Sequence, residues 1–166
     1  MREVSTKVLV ELEPGSNVTD LLRQREAANP AHALYARKGP NGWTDVPAQR
    51  FLHDVCALAK GLIAGGLEPG DTVAIMSSTC YEWALVDFAI WFAGGVSVPI
   101  DEASTPGQME WILHHPGARR VFAEDRGKVA LVTGIRETSP LLADRLAAGG
   151  GGDVDGPAPN PATPAG

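Results

Sequence analysis

GLIAGGLEPGDTVAIMSSTCYEWALVDFAIWFAGGVSVPI, residues 61–100, is the best-punctuated stretch of the chain. Pro69-Gly70-Asp71 is turn chemistry, because proline presets φ and glycine accepts φ > 0, so Thr72 to Met76 emerges as a strand. That strand, TVAIM, has no charged residue, as expected where both faces of a sheet are covered. Thr79 and Glu82 match the Ser/Thr-x-x-Glu capping box, which predicts a helix beginning near Cys80. The helix continues to Phe92 with only Glu82 and Asp87 charged, until Gly94-Gly95 supplies a left-handed stop. Val96 to Pro99 is the next strand. Strand, helix and strand in this order make a βαβ unit, whose crossover is right-handed in nearly all proteins.

The apolar helix raises the question of a membrane. A spanning helix needs ~20 predominantly apolar residues. This one holds Asp87, breaks at Gly94-Gly95 and meets Pro99, so no transmembrane segment is expected. A helix apolar nearly all round is instead buried on several sides, which requires more covering protein than one sheet face provides.

Composition agrees with one modest α/β domain: 44% of the 166 residues are hydrophobic and 20% charged, enough for a core of its own. A net charge of −6 and a pI near 5.1 leave no basic footprint, so nucleic acid and anionic membrane surfaces are not expected partners. Two cysteines, no Cys/His cluster and no apolar run after Met1 point to a cytoplasmic, reduced protein.

Working outward from residues 61–100, the N-terminal side begins with an extended lead to Pro14-Gly15. Asn17 or Thr19 can then cap a helix from about Asp20 to Ala28, ended by Asn29-Pro30. Ala33–Ala36 and Trp43–Val46 read as two arms of a small hairpin around Pro40-Asn41-Gly42. Pro47 opens a long helix in which Phe51, Val55, Leu58 and Leu62 share one face, with Gly65-Gly66 as its stop. On the C-terminal side, Thr105-Pro106-Gly107-Gln108 is a capping box with proline in the first turn. It starts a helix through Met109, Ile112 and Leu113 that ends near His114-His115-Pro116. Arg120–Ala123 reads as a third parallel strand, completing βαβαβ. Residues 125–148 can hold one or two amphipathic helices through Val129, Leu131, Val132, Ile135, Leu141, Leu142 and Leu146, broken at Ser139-Pro140. Residues 149–166, GGGGDVDGPAPNPATPAG, have one aliphatic side chain larger than alanine. They cannot offset chain entropy by burial, so a disordered C-terminal tail is expected.

Four features invite a chemical reading. Cys80 at a helix start could be an activated thiol, but with no partner base in sight a buried inert thiol is the simpler reading. His114 and His115 are adjacent and point to different sides of a helix, with no third ligand, so a surface pair at a helix end is expected. Asp87 is expected to be satisfied by a neighbouring donor. Gly61, Gly65, Gly66 and Gly70 precede the strand instead of following it, so they are caps and turns and form no dinucleotide fingerprint.

Trp43-Thr44-Asp45-Val46, Ala59-Lys60-Gly61-Leu62-Ile63-Ala64, Pro69-Gly70-Asp71, Ser77, Tyr81-Glu82-Trp83, Asp87-Phe88-Ala89-Ile90-Trp91, Ala93-Gly94, Val98-Pro99-Ile100 and Gln108 with Trp111-Ile112-Leu113 carry a resemblance. In this order and spacing, over residues 15–124, the chain resembles the N-terminal part of adenylate-forming long-chain acyl-CoA synthetases, closest to their actinobacterial-type branch. Asp101 departs from the family, which usually has an aromatic after Val-Pro-Ile.

The resemblance implies a partial adenylation (AMP-binding) domain over residues 1–148, followed by the tail. The family joins a fatty acid to coenzyme A through an acyl-adenylate, using ATP, Mg2+ and coenzyme A. Its phosphate loop is rich in Ser, Thr and Gly and ends in lysine, so that backbone N–H groups can cradle the triphosphate. The nearest candidate, Val132-Thr133-Gly134-Ile135-Arg136-Glu137-Thr138-Ser139, has one glycine and no lysine. The family's adenine-binding aromatic motif, ribose-binding aspartate and C-terminal-domain lysine find no counterpart. No catalytic, cofactor-binding or metal-binding residue is therefore carried over, and this chain alone is expected to bind no cofactor and to be inactive. Its expected partners are a complementing ligase chain or a second copy meeting an exposed sheet edge. The alternative is a non-catalytic α/β interaction module or one chain of a split ligase.

Overall fold

A computed structural model of the chain describes residues 14–138 and 144–147. Asn17 starts helix α1 (Val18–Ala28): its side-chain oxygen accepts from the N–H groups of Thr19 and Asp20 at 2.9 and 3.2 Å, and the Asp20 carboxylate accepts from the Asn17 N–H at 3.1 Å. Strands β1 (Ala33–Gly39) and β2 (Gly42–Pro47) form the antiparallel hairpin, with Lys38 opposite Trp43. Pro47 then stands at the N-cap of α2 (Ala48–Ala64), on which Phe51, Val55 and Leu62 are buried and Leu58 packs beside them, the face that the spacing predicted.

The rest is an α/β progression of β3 (Thr72–Met76), α3 (Tyr81–Phe92), β4 (Val96–Ile100), α4 (Pro106–His114), β5 (Arg120–Ala123), α5 (Arg126–Thr138) and β6 (Asp144–Ala147). The strands are all parallel and lie in the order β4-β3-β5-β6. β3 shows why both its faces had to be apolar. Val73 and Ile75 pack with Leu62, Val86, Ala89, Ile90 and Phe122 under α2 and α3, whereas Ala74 and Met76 pack with Met109, Leu113, Val121, Val132 and Ile135 under α4 and α5. A third cluster joins α1, the hairpin and α2 through Leu22, Val46, Phe51 and Val55. Every residue of α3 is buried or half-buried, because α2 and the hairpin cover what the sheet does not.

Three expectations need correction. The helix cap at α3 is Cys80, which makes no side-chain capping bond. Glu82 thus falls at the second helical position, one short of a capping box, and instead forms an ion pair with Arg37 of β1. Gly61 lies inside α2 and is neither cap nor turn. Among the described residues of 125–148 there is one helix and then a strand: Leu146 is in β6, opposite Phe122. The unpaired outer edge of β5 outweighs helical periodicity there, since a parallel strand satisfies its backbone groups. Leu141 and Leu142, the N-terminal lead up to residue 13 and the tail lie outside the described residues.

Two glycines are required by their places. Gly94, at φ +82°, makes the left-handed stop of α3. A Cβ on Gly95 would sit 3.0 Å from Ile90 Cγ2 and 3.2 Å from the Asp71 carbonyl oxygen, so only glycine allows β4 to start this close to α3. Arg120 of β5 donates to the Leu62 carbonyl at 3.1 Å and to that of Gly65, satisfying the end of α2 and tying it to the sheet.

Candidate functional site

In an open α/β sheet, ligands bind beyond the carboxyl ends of the strands where successive connections leave on opposite faces. Here that point lies between β3 and β5, because α3 covers one face and α4 and α5 the other. Met76 and Ala123 are register partners, and the residues that follow them, Ser77-Ser78 and Glu124-Asp125, form the rim.

The rim is closed by a carboxylate. Glu124 accepts from the Ser78 N–H at 3.0 Å and the Ser78 hydroxyl at 2.6 Å, and from the Lys128 ammonium at 2.8 Å. Led by the Lys128 bond and then by those from Ser78, these donors pull the Glu124 carboxyl down to about 2. It is therefore charged at any physiological pH and a poor proton acceptor. Asp125 caps α5: its carboxylate takes the Lys128 N–H at 2.8 Å, the chief cause of its own lowered pKa, and the Lys128 ammonium at 3.2 Å. The Lys128 pKa is raised, first by Glu124.

This arrangement does not fit a nucleotide triphosphate. A phosphate needs free N–H groups at a helix start and positive potential. The start of α5 already holds the Asp125 carboxylate, and Glu124 stands beside it. Residues 132–138, the nearest sequence candidate for a phosphate loop, lie within α5, with Val132 and Ile135 turned into the core. Their N–H groups belong to the helix, and Ser139 lies outside the described residues.

A second polar group is buried inside α3. Asp87 is 5% exposed, and its Oδ1 has no hydrogen-bond partner among the described residues. Nearby, the Trp91 indole N–H donates to Ser97 Oγ at 3.0 Å. Burial raises the Asp87 pKa, opposed by the neighbouring Ser97 hydroxyl. Tyr35 and Tyr81 are pushed up as well, each first by burial, Tyr81 to about 12. They sit with Phe51 and Phe88 in an aromatic cluster at centroid separations of 4.6–6.0 Å.

The other sequence candidates are placed plainly. Cys80 is half-buried with its Sγ 3.7 Å from Ser77 Oγ. His114 and His115 are exposed at the end of α4, where His115 stacks on Trp111 at 4.7 Å. Among the described residues there is no group of three or more His, Cys, Asp or Glu able to hold a metal, and no helix long and apolar enough to cross a membrane. Gly66 and Gly70, at φ +85° and +87°, are the cap and turn residues expected. The Ser78–Glu124–Lys128 link was missed. Only its Glu124-to-Lys128 half, an acid four residues before a lysine, is visible in the sequence.

Residues 22–160 match the sequence profile of the AMP-binding enzyme family. The chain belongs to that family. It is 36% identical over 152 residues to the long-chain-fatty-acid–CoA ligase FadD15 of Mycobacterium bovis and 35% identical to FadD15 of Mycobacterium tuberculosis, in each case over 92% of this chain. It spans about a quarter of those relatives, 25% of each. The fold of this AMP-binding family chain is that of solved acyl-CoA ligases. The anthranilate CoA ligase AuaEII in complex with anthranoyl-AMP superposes with TM-score 0.70 at 21% identity, over 82% of this chain and 26% of that one. Apo MatB from Rhodopseudomonas palustris gives 0.65 at 21% identity, over 79% and 25%.

Proposed function

We propose that this chain is the N-terminal wall of the adenylation domain of a long-chain fatty-acid–CoA ligase, and that alone it activates no acid. The similarity to FadD15 supports the substrate class. The observation that carries the inactivity is the Ser78–Glu124–Lys128 link, with Asp125 on the start of α5: two carboxylates stand where a phosphate would need donors. ATP, Mg2+ and coenzyme A then act only where another segment supplies the phosphate cradle. The test is to mix the purified chain with ATP, Mg2+, coenzyme A and a long-chain fatty acid and to follow pyrophosphate. None is expected, and turnover by the chain alone refutes the reading.

A split-ligase or interaction role draws on a different observation. β4 is the terminal strand of the sheet, and its first residue, Val96, is 50% exposed. A complementing ligase chain or a second copy could add a strand along that edge. The chain should then self-associate or require its partner; a soluble, cooperatively unfolding monomer at micromolar concentration would count against this role.

A further inference from the structure

An asparagine side chain is open to attack by the backbone nitrogen that follows it, and most open where the next residue is glycine, because no Cβ there stands in the way. The chain holds four asparagines, followed by Val18, Pro30, Gly42 and Pro161. Proline has no N–H to give up, which closes that route at Asn29 and Asn160. At Asn17 the next residue is β-branched, and the side-chain oxygen already accepts from the N–H groups of Thr19 and Asp20 at the start of α1.

Asn41 differs on each count. With Pro40 it makes the loop between β1 and β2, and residues 36–45 are all exposed. Gly42, at φ +108°, has open space where a Cβ would stand. Gly39 opposite Gly42 is the closing pair of the hairpin. Only that last rung has to fray for the Gly42 nitrogen to turn toward the Asn41 side chain, and the rest of the ladder stays paired.

We propose that Asn41 is a site of spontaneous modification in the folded chain, converted through a cyclic imide to aspartate and isoaspartate. The Gly42 nitrogen attacks the Asn41 side-chain carbonyl carbon. Its proton and the side-chain amide leave together as ammonia, and a five-membered imide closes. Water then opens the ring, its hydroxyl going to a carbonyl carbon and its proton to the Gly42 nitrogen. Opening at the side-chain carbonyl gives aspartate. Opening at the main-chain carbonyl gives isoaspartate, in which the main chain runs through the former side chain and is one atom longer. Nothing is oxidised or reduced, and water is the only co-reactant. Either product adds a negative charge to a chain already at −6. The isoaspartyl form also lengthens the tight loop next to the Lys38–Trp43 pair, in the hairpin whose Arg37 holds Glu82 of α3. Isoaspartate is what isoaspartyl-directed carboxyl methyltransferases recognise, so the hairpin tip is where an enzyme of that class would act.

The test incubates the full chain at pH 7 and pH 9, with and without urea, and follows it by peptide mass spectrometry. Methyl transfer from S-adenosylmethionine by an isoaspartyl-directed methyltransferase, located to the same peptide, is the second readout. Asp155-Gly156 is read apart from Asn41, because an aspartate isomerises with no change of mass. The mass gain of amide to acid is expected at Asn41 and not at Asn17, Asn29 or Asn160. It should be faster at pH 9, since the attacking nitrogen must lose its proton. Methyl acceptance in the Asn41 peptide should rise with it. Asn41→Gln, which would have to close a larger ring, should lose both signals. No gain at Asn41, an equal gain at Asn17, a gain seen only in urea, or methyl acceptance in that peptide unchanged by Asn41→Gln would each overturn the proposal.

Discussion

Replacing Glu124 by glutamine tests the rim directly. The carboxylate holds two loops that are 46 residues apart, through bonds of 3.0 and 2.6 Å to Ser78, and holds Lys128 at 2.8 Å. All three partners are donors, so an amide keeps one acceptor and turns its NH2 toward groups that also donate. A hydrogen bond to a charged group contributes ~1.5–3 kcal/mol, but the Glu124 side chain is 20% exposed, so solvent screens part of this. A net loss of about 2 kcal/mol is therefore expected at pH 7, which for a chain of this size lowers the melting temperature by roughly 4–8 °C. The pH dependence gives a sharper readout. With the folded carboxyl at about 2 and its ordinary value 4.5, the contribution is complete above 4.5 and disappears as pH falls toward 2. Thermal melts between pH 7 and pH 2.5 should show the parent chain losing this increment in that window and Glu124→Gln lacking it. Equal melting temperatures at pH 7, or parallel acid limbs, would refute the role given to the link.

Asp87→Asn should act in the opposite sense: burial raises this carboxyl, so the parent chain loses stability as pH climbs above the ordinary aspartate range. The variant should be the more stable at pH 8 by about 1 kcal/mol, with a flatter pH profile in denaturant melts, and a steeper one would contradict the burial argument. Phe51→Ala removes a fully buried ring that touches Tyr35, Tyr81 and Phe88; a cost of ~3–5 kcal/mol is expected in urea unfolding, and one below ~1 kcal/mol would deny Phe51 its central place. Gly95→Ala forces a methyl to 3.0 Å from Ile90 and should cost ~1–3 kcal/mol, whereas the same change at Gly61, whose Cβ meets nothing within 4 Å, should be neutral or stabilising by calorimetry.

The fold was legible where local chemistry and tertiary demand agree. Asn17, Thr105-Pro106 and Gly94 act through neighbours within four residues, so their sequence context is their physical context. The charge-free strand TVAIM likewise announces that both its faces are covered. The reading failed where a distant partner decided. Glu82 has the spacing of a capping box with Thr79, yet Arg37 on the hairpin draws it away and the helix starts one residue late. Leu146 continues a helical pattern but lies in a strand, because β5 offers a bare edge that no local signal near residue 146 encodes.

The site was less legible for the same reason carried further. Its controlling contact spans Ser78 to Glu124, and two serines after a strand or an acidic pair before a helix are each too common to single out. Only the parallel register of β3 with β5, which places Ala123 beside Met76, makes them one feature. The register also gives that feature a sense that composition cannot supply. The family's nucleotide chemistry calls for donors and positive charge, whereas this edge presents a low-pKa carboxylate whose donors are already spent on it. A second carboxylate, Asp125, occupies the neighbouring helix start. Membership in the family is written in residues spread along the scaffold, whereas the charge at the sheet's carboxyl edge is written in a pairing that only the fold creates, and there Glu124 and Asp125 take up the donors of Ser78 and Lys128.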